Sequence, residues 1–67
     1  MNIYLVERTE KITWVEDYAM VVIAEDEKHA ERRARWSSRD FKKAKNLSIK
    51  KIDISKEQSV LISNMGA

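Results

Sequence analysis

The sequence predicts a small α+β fold, an antiparallel sheet of order ββαββ with one helix packed on one face. Three observations predict it. The 67 residues suffice for a single domain, 1–67, and are too few for two. Apolar runs typical of strands lie towards both ends of the chain. Between them lies a stretch of helix formers that begins at good capping residues.

Two apolar runs predict the first two strands. Ile3 to Arg8 is rich in β-forming residues and is followed by polar ones. Tyr18 to Ala24 is apolar almost throughout. Such a continuous run is typical of a central strand that is covered on at least part of both faces.

The predicted helix runs from about residue 27 to residue 36. Asp26 is a good N-cap, and Glu27 places an acid in the first turn. The helical period puts Ala30 and Ala34, and Phe41 if the helix continues, on the face that packs on the sheet. The opposite face is basic and contains His29, Arg32, Arg33, Trp36, Arg39 and Lys43.

The remaining elements are predicted after a break or loop in the span from Ser37 to Asn46, because Ser37 and Ser38 weaken the helix and Lys42 to Asn46 is polar. Leu47 to Ile54 is predicted to form a third strand. Its apolar residues alternate on one phase at Leu47 and Ile49 and on the other at Ile52 and Ile54, which predicts a β-bulge near Lys50 and Lys51. Val60 to Ser63 is expected to form a short fourth strand. The predicted core consists of Ile3, Leu5, Val21, Ile23, Ile49, Ile52 and Leu61.

Charge changes sign along the chain although the net charge is only +2. Residues 1–27 contain seven acids and two bases, a balance of −5. Residues 28–51 contain ten bases and two acids, a balance of +8. Asp26 and Glu27 suit a helix N-terminus in any protein, so the basic segment is the more informative half.

The composition predicts that the protein is not an enzyme and carries no cofactor or metal. Cysteine is absent, which excludes a cysteine nucleophile, and His29 is the single histidine, so the chain lacks the usual ligands of a zinc site. Gly66 is the single glycine, and phosphate-cradling loops require several. We expect His29 to be solvated on the outer face of the helix.

The basic segment is the first candidate for a partner-binding surface. Arginine and lysine can contact phosphates or acidic side chains, and a tryptophan among them can stack on a base or anchor a protein interface. A protein partner, a nucleic acid and a merely solvated helix face all remain open as interpretations. The candidate residues are Arg32, Arg33, Arg35, Trp36, Arg39, Lys42 and Lys43.

An acidic surface at the first hairpin is the second candidate. It is formed by Glu7, Glu10, Glu16 and Asp17. Such a surface can imitate a phosphate backbone and occupy a basic groove on a nucleic-acid-binding protein. It can equally attract the basic helix of a second copy, which would produce a homodimer.

We expect a cytoplasmic protein that does not contact the membrane. Met1 to Val6 lacks the basic and apolar segments of a secretion signal. The longest apolar run, Ala19 to Ala24, is far too short to span a bilayer.

Three motifs follow one another along the chain. They are a Leu-Val-x-Arg first strand at 5–8, a tyrosine and an acid before a Val-Val strand at 17–24, and a Val-Leu-x-Ser segment before a near-terminal glycine at 60–66. Their order resembles a group of short uncharacterised proteins of phages and prophages. The chain departs from that pattern between Arg32 and Lys45, where it is more basic and lacks a glycine-containing loop.

The resemblance implies a small phage-borne binding protein that docks on a host protein inside the host cell. Such proteins commonly block host factors, including nucleic-acid-processing or defence complexes such as CRISPR effectors. A nucleic-acid-binding module that uses the basic helix face is one alternative. A structural role in virion or complex assembly is another.

Overall fold

A computed structural model describes residues 1–9 and 18–59, and within them the predicted α+β class is confirmed. Three strands form one antiparallel sheet, and two helices lie between the second strand and the third. The elements are β1 (Asn2–Arg8), β2 (Ala19–Ala24), α1 (Glu27–Ser37), α2 (Arg39–Lys43) and β3 (Leu47–Ile52). The predicted fourth strand at 60–63 lies outside the described residues.

The strand order is β2-β1-β3, so β1 is the central strand. Among the described strands the second one is therefore not central, contrary to the prediction. The apolar character of β2 does not reveal its position, because its place in the sheet depends on where the chain returns after the helices. It returns to the far side of β1, which leaves β2 at an edge within the described part of the chain.

One face of the sheet packs against the helices and forms the core. Tyr4 and Val6 of β1 and Val22 and Ala24 of β2 are buried there. The short connection from Ala24 to the N-cap of α1 starts the helix directly above this face. The helices contribute three fully buried side chains to the same core, Ala30, Ala34 and Phe41. The two alanines lie on the face of α1 that the helical period predicted, whereas Phe41 belongs to α2, because the first helix ends at Ser37.

The predicted core had the wrong strand phase. Val21 and Ile23, which we expected inside, are 54% and 61% exposed on the sheet face opposite the helices. Both phases of β1 and β2 are apolar, so alternation could not select the buried face. Of the remaining predicted core residues, Leu5 is buried, Ile3, Ile49 and Ile52 are half-buried, and Leu61 lies outside the described residues.

β3 is regular, so the predicted bulge is also wrong. Its register against β1 runs without interruption from Ile3 opposite Ile52 to Arg8 opposite Leu47. The change of phase arises because Leu47 and Ile49 pack on the core while Ile52 belongs to the opposite face. Since both faces of β3 carry isoleucine, no extra residue is needed to explain the pattern.

Candidate functional site

The helices present a basic surface because their small and aromatic residues are buried against the sheet. Ala30, Ala34 and Phe41 are fully buried, which turns the other sides of α1 and α2 outwards. Six of the seven predicted basic-surface residues are exposed. We call these six the basic face: Arg32, Arg33, Trp36, Arg39, Lys42 and Lys43.

Trp36 is the most unusual member of the basic face. Its side chain is 88% exposed, although tryptophan is a large apolar residue. Arg32 and Arg33 precede it by four and three residues and are therefore its neighbours on the helix surface. α1 ends one residue later, at Ser37, and Ser38 caps α2 by accepting a hydrogen bond from the Phe41 amide. The indole thus stands at the outer corner between two helices.

Arg35, the seventh predicted residue, has a structural role. Its Nε donates to Glu31 Oε2 at 3.0 Å. Its Nη1 donates to the carbonyl oxygens of Phe41 at 3.0 Å and Ala44 at 2.7 Å. Arg35 therefore links α1 to the C-terminal end of α2, and its guanidinium is occupied by hydrogen bonds within the fold.

Basic residues outnumber acidic ones in the segment that carries the basic face, residues 28–51. Glu31, one of the two acids among residues 28–51, is paired with Arg35. Among the described residues neither Arg32 nor Arg33 takes part in an ion pair. An anionic partner that reaches Arg32 or Arg33 therefore displaces no ion pair formed within the described residues.

The start of α1 is fixed by Asp26. Its Oδ1 accepts a hydrogen bond from the His29 amide at 2.8 Å and lies 3.0 Å from His29 Nδ1. The backbone hydrogen bond from His29 is the main cause that lowers the pKa of the Asp26 carboxyl below its ordinary value of 3.8. His29 is exposed, and its contact with Asp26 makes it part of the helix cap.

The acidic surface is described only in part. Glu7 is half-buried on β1, on the sheet face opposite the helices. Glu10, Glu16 and Asp17 lie outside the described residues. The acidic surface therefore stays a prediction.

Sequence reasoning missed a groove between β2 and α1. Its first part, of about 340 Å³, is lined by Met20 to Ile23 on the strand and by Arg33 and Ser37 on the helix. Its second part, of about 320 Å³, shares Ile23 and Arg33 and extends to Glu25, His29 and Arg32. The groove exists because β2 lies at an edge among the described strands. This position depends on the topology of the sheet, and the local sequence does not indicate it.

Within residues 1–9 and 18–59, no three acidic or histidine side chains lie close enough together to hold a metal ion. Neither helix among these residues is long and apolar enough to cross a membrane. Comparison with protein-family models, with curated proteins and with solved structures finds no match to the chain.

Proposed function

We propose that this protein is a small binding protein of the phage type, without catalytic activity, that docks on a host protein through the basic face. It acts in the host cytoplasm and inhibits a complex that processes nucleic acids. The observation that carries the proposal is Trp36, 88% exposed on a surface that also carries five exposed cations. An acidic patch on the target would complement this surface.

Trp36 has the properties of an interface anchor. Tryptophan and arginine dominate the binding energy of protein interfaces, and truncating such an anchor typically costs about 2 kcal/mol or more. That loss corresponds to a roughly thirtyfold weaker Kd. The indole is already presented at the corner of two capped helices, so binding need not reorganise the backbone to expose it.

Photo-cross-linking in a bacterial host lysate tests this proposal directly. p-Benzoylphenylalanine is introduced at position 36 and, as a control, at position 56, where Lys56 is also well exposed. We expect a discrete cross-linked protein from position 36 alone. The charge-reversal variants Arg32→Glu and Lys43→Glu should each weaken the cross-link. Equal cross-linking from both positions, or a product insensitive to both reversals, would contradict the proposal.

A nucleic acid is the second candidate partner, and the exposed indole among cations is the observation that favours it. Single-stranded nucleic acids bind to surfaces that combine cations with aromatic stacking platforms, and each stacked base contributes about 1–3 kcal/mol. Arg32 and Arg33 lie next to Trp36 on the helix surface, where they could reach phosphates while the ring stacks.

Fluorescence anisotropy separates the two candidates. The probe is a labelled single-stranded oligonucleotide of about 20 nucleotides, titrated at several salt concentrations. Nucleic-acid binding predicts an affinity that falls with salt, with a slope that becomes shallower by about 0.7 for each phosphate contact removed. Arg32→Gln should reduce this slope, whereas Lys56→Gln should not. An affinity that does not change with salt would exclude this candidate.

A further inference from the structure

β2 presents an unprotected edge within the described part of the chain. The Arg8 amide donates to the Tyr18 carbonyl at 2.8 Å, and the ladder continues in register from that pair. Because hydrogen-bonded pairs alternate in an antiparallel ladder, the backbone groups of Met20, Val22 and Ala24 point to β1. Those of Ala19, Val21 and Ile23 point to the open edge.

Natural sheets usually protect their edges with charged residues, proline or bulges. β3, at the opposite edge, carries Lys50 and Lys51. β2 has the sequence Ala-Met-Val-Val-Ile-Ala, with no charge, no proline and no bulge in its register with β1. Its outward backbone groups and its exposed Val21 and Ile23 side chains are therefore suited to pairing with another strand.

The charge beside this edge indicates what that strand carries. Arg33 lines both parts of the groove, and Arg32 and His29 line the second part. Glu25 is the single acid among the lining residues. A strand laid along β2 would thus run beside two arginines that have no ion pair within the described residues.

We propose that β2 binds an extended, acidic peptide segment of the partner, which adds to the sheet as an edge strand beside Arg33. This inference rests on the proposed function, because the groove adjoins the basic face and shares Arg32 and Arg33 with it. Main-chain hydrogen bonds to Val21 and Ile23 supply affinity, as in other cases of strand addition. Arg32 and Arg33 select for glutamate or aspartate.

A second copy of this chain fits the edge less well. Two β2 strands paired antiparallel across a twofold axis would bring their flanking helices together on one face of the joined sheet. Arg33, which lies beside the middle of β2, would then approach its counterpart. Like charges placed opposite each other weaken such an interface, whereas an acidic strand neutralises the same arginine.

The test uses the full chain, labelled with ¹⁵N, and two synthetic peptides. One peptide alternates glutamate with valine over about six residues, the length of β2; the other has lysine in place of glutamate. With the acidic peptide we expect the amides of Val21 and Ile23 to shift and to become protected from exchange. The Val22 amide, which is bonded to β1, should change little.

Charge reversal provides the matched variant. Arg33→Glu should weaken binding of the acidic peptide about tenfold and strengthen binding of the lysine peptide. Lys56→Gln, outside both the groove lining and the basic face, should leave peptide binding unchanged. Absence of a cross-link at position 36 with intact peptide binding would count against the proposed function alone.

Three results would overturn the edge-strand inference. The first is no shift of Val21 and Ile23 at about 1 mM peptide, a limit corresponding to roughly 4 kcal/mol of binding. The second is equal binding of the two peptides. The third is protection of the Val21 and Ile23 amides from exchange in the free protein. If dilution removes this protection, a second copy of the chain occupies the edge. If the protection persists on dilution, another part of the same chain occupies it.

Discussion

Arg32 and Arg35 stand three residues apart on α1, yet they belong to different parts of the molecule. Arg32 is exposed on the basic face. Arg35 is half-buried and gives its hydrogen bonds to Glu31 and to two carbonyl oxygens at the end of α2. The helical period alone could not separate these roles, because the acceptors belong to a second helix that the sequence did not predict.

Replacing Arg35 should destabilise the fold. In Arg35→Met the aliphatic stem stays, but the carbonyls of Phe41 and Ala44 lose their donor. Hydrogen bonds to charged groups contribute about 1.5–3 kcal/mol, so we expect the free energy of unfolding in urea to fall by about that amount. Arg32→Met is the matched control and should change it by less than about 0.5 kcal/mol. Equal losses would show that Arg35 is not a structural link.

Asp26 makes the stability of α1 depend on pH. The lowered pKa of its carboxyl means that the folded state favours the ionised form. The stabilisation is therefore present above the ordinary value of 3.8 and is lost as the pH falls through the lowered folded-state value. Asp26→Asn keeps a capping side chain but cannot ionise.

The measurement for Asp26 is urea unfolding as a function of pH. The wild-type protein should be more stable than Asp26→Asn at about pH 6, and the difference should shrink progressively as the pH falls below 3.8. Glu57→Gln removes an exposed carboxylate outside the helices and controls for the loss of one negative charge. A difference between wild type and Asp26→Asn that stays constant across this range would argue against the capping carboxylate.

At the scale of elements, the positions of helices and strands could be predicted from the sequence more accurately than the face of each strand that is buried. Helix α1 was predicted at about 27–36 and is found at Glu27–Ser37, because capping residues and small apolar spacings are local signals. The buried face of β1 and β2 could not be predicted, since both phases are apolar. The groove was missed for a related reason: edge position is decided by the return of the chain to β3.

A pair of lysine substitutions tests the strand phase. Val21 is 54% exposed and Val22 is 6% exposed, although they are neighbours of the same type. Val21→Lys should alter the free energy of unfolding by no more than about 1 kcal/mol. Val22→Lys buries an unpaired charge, which removes about 3 kcal/mol or more and approaches the whole stability of so small a domain. Circular dichroism and urea unfolding of both variants would show a reversed order if the phase were the opposite.

At the scale of the whole molecule, the basic half of the charge reversal found in the sequence is distributed over several elements of the described structure. The basic residues of 28–51 lie on α1, α2 and β3 and on the links between them. Most of the predicted acidic surface lies outside the described residues. The electric field that a partner meets on approach is consequently stronger than the net charge of +2 suggests, because fields depend on how charge is distributed.

This distribution predicts that binding to an anionic surface depends more on the position of a charge than on the net charge of the protein. Lys43→Glu and Lys56→Glu change the net charge equally, but Lys43 belongs to the basic face, whereas Lys56 lies within 4.0 Å of Asp53 and outside it. A cation exchanger binds the most basic surface of a protein, so Lys43→Glu should elute at clearly lower salt than Lys56→Glu. The association rate with an anionic partner should follow the same order at low ionic strength, and the two variants should converge as salt screens the field. Equal elution of the two variants would mean that binding to the exchanger depends on net charge alone. The distribution of charge would then give no support to the basic face as a docking surface.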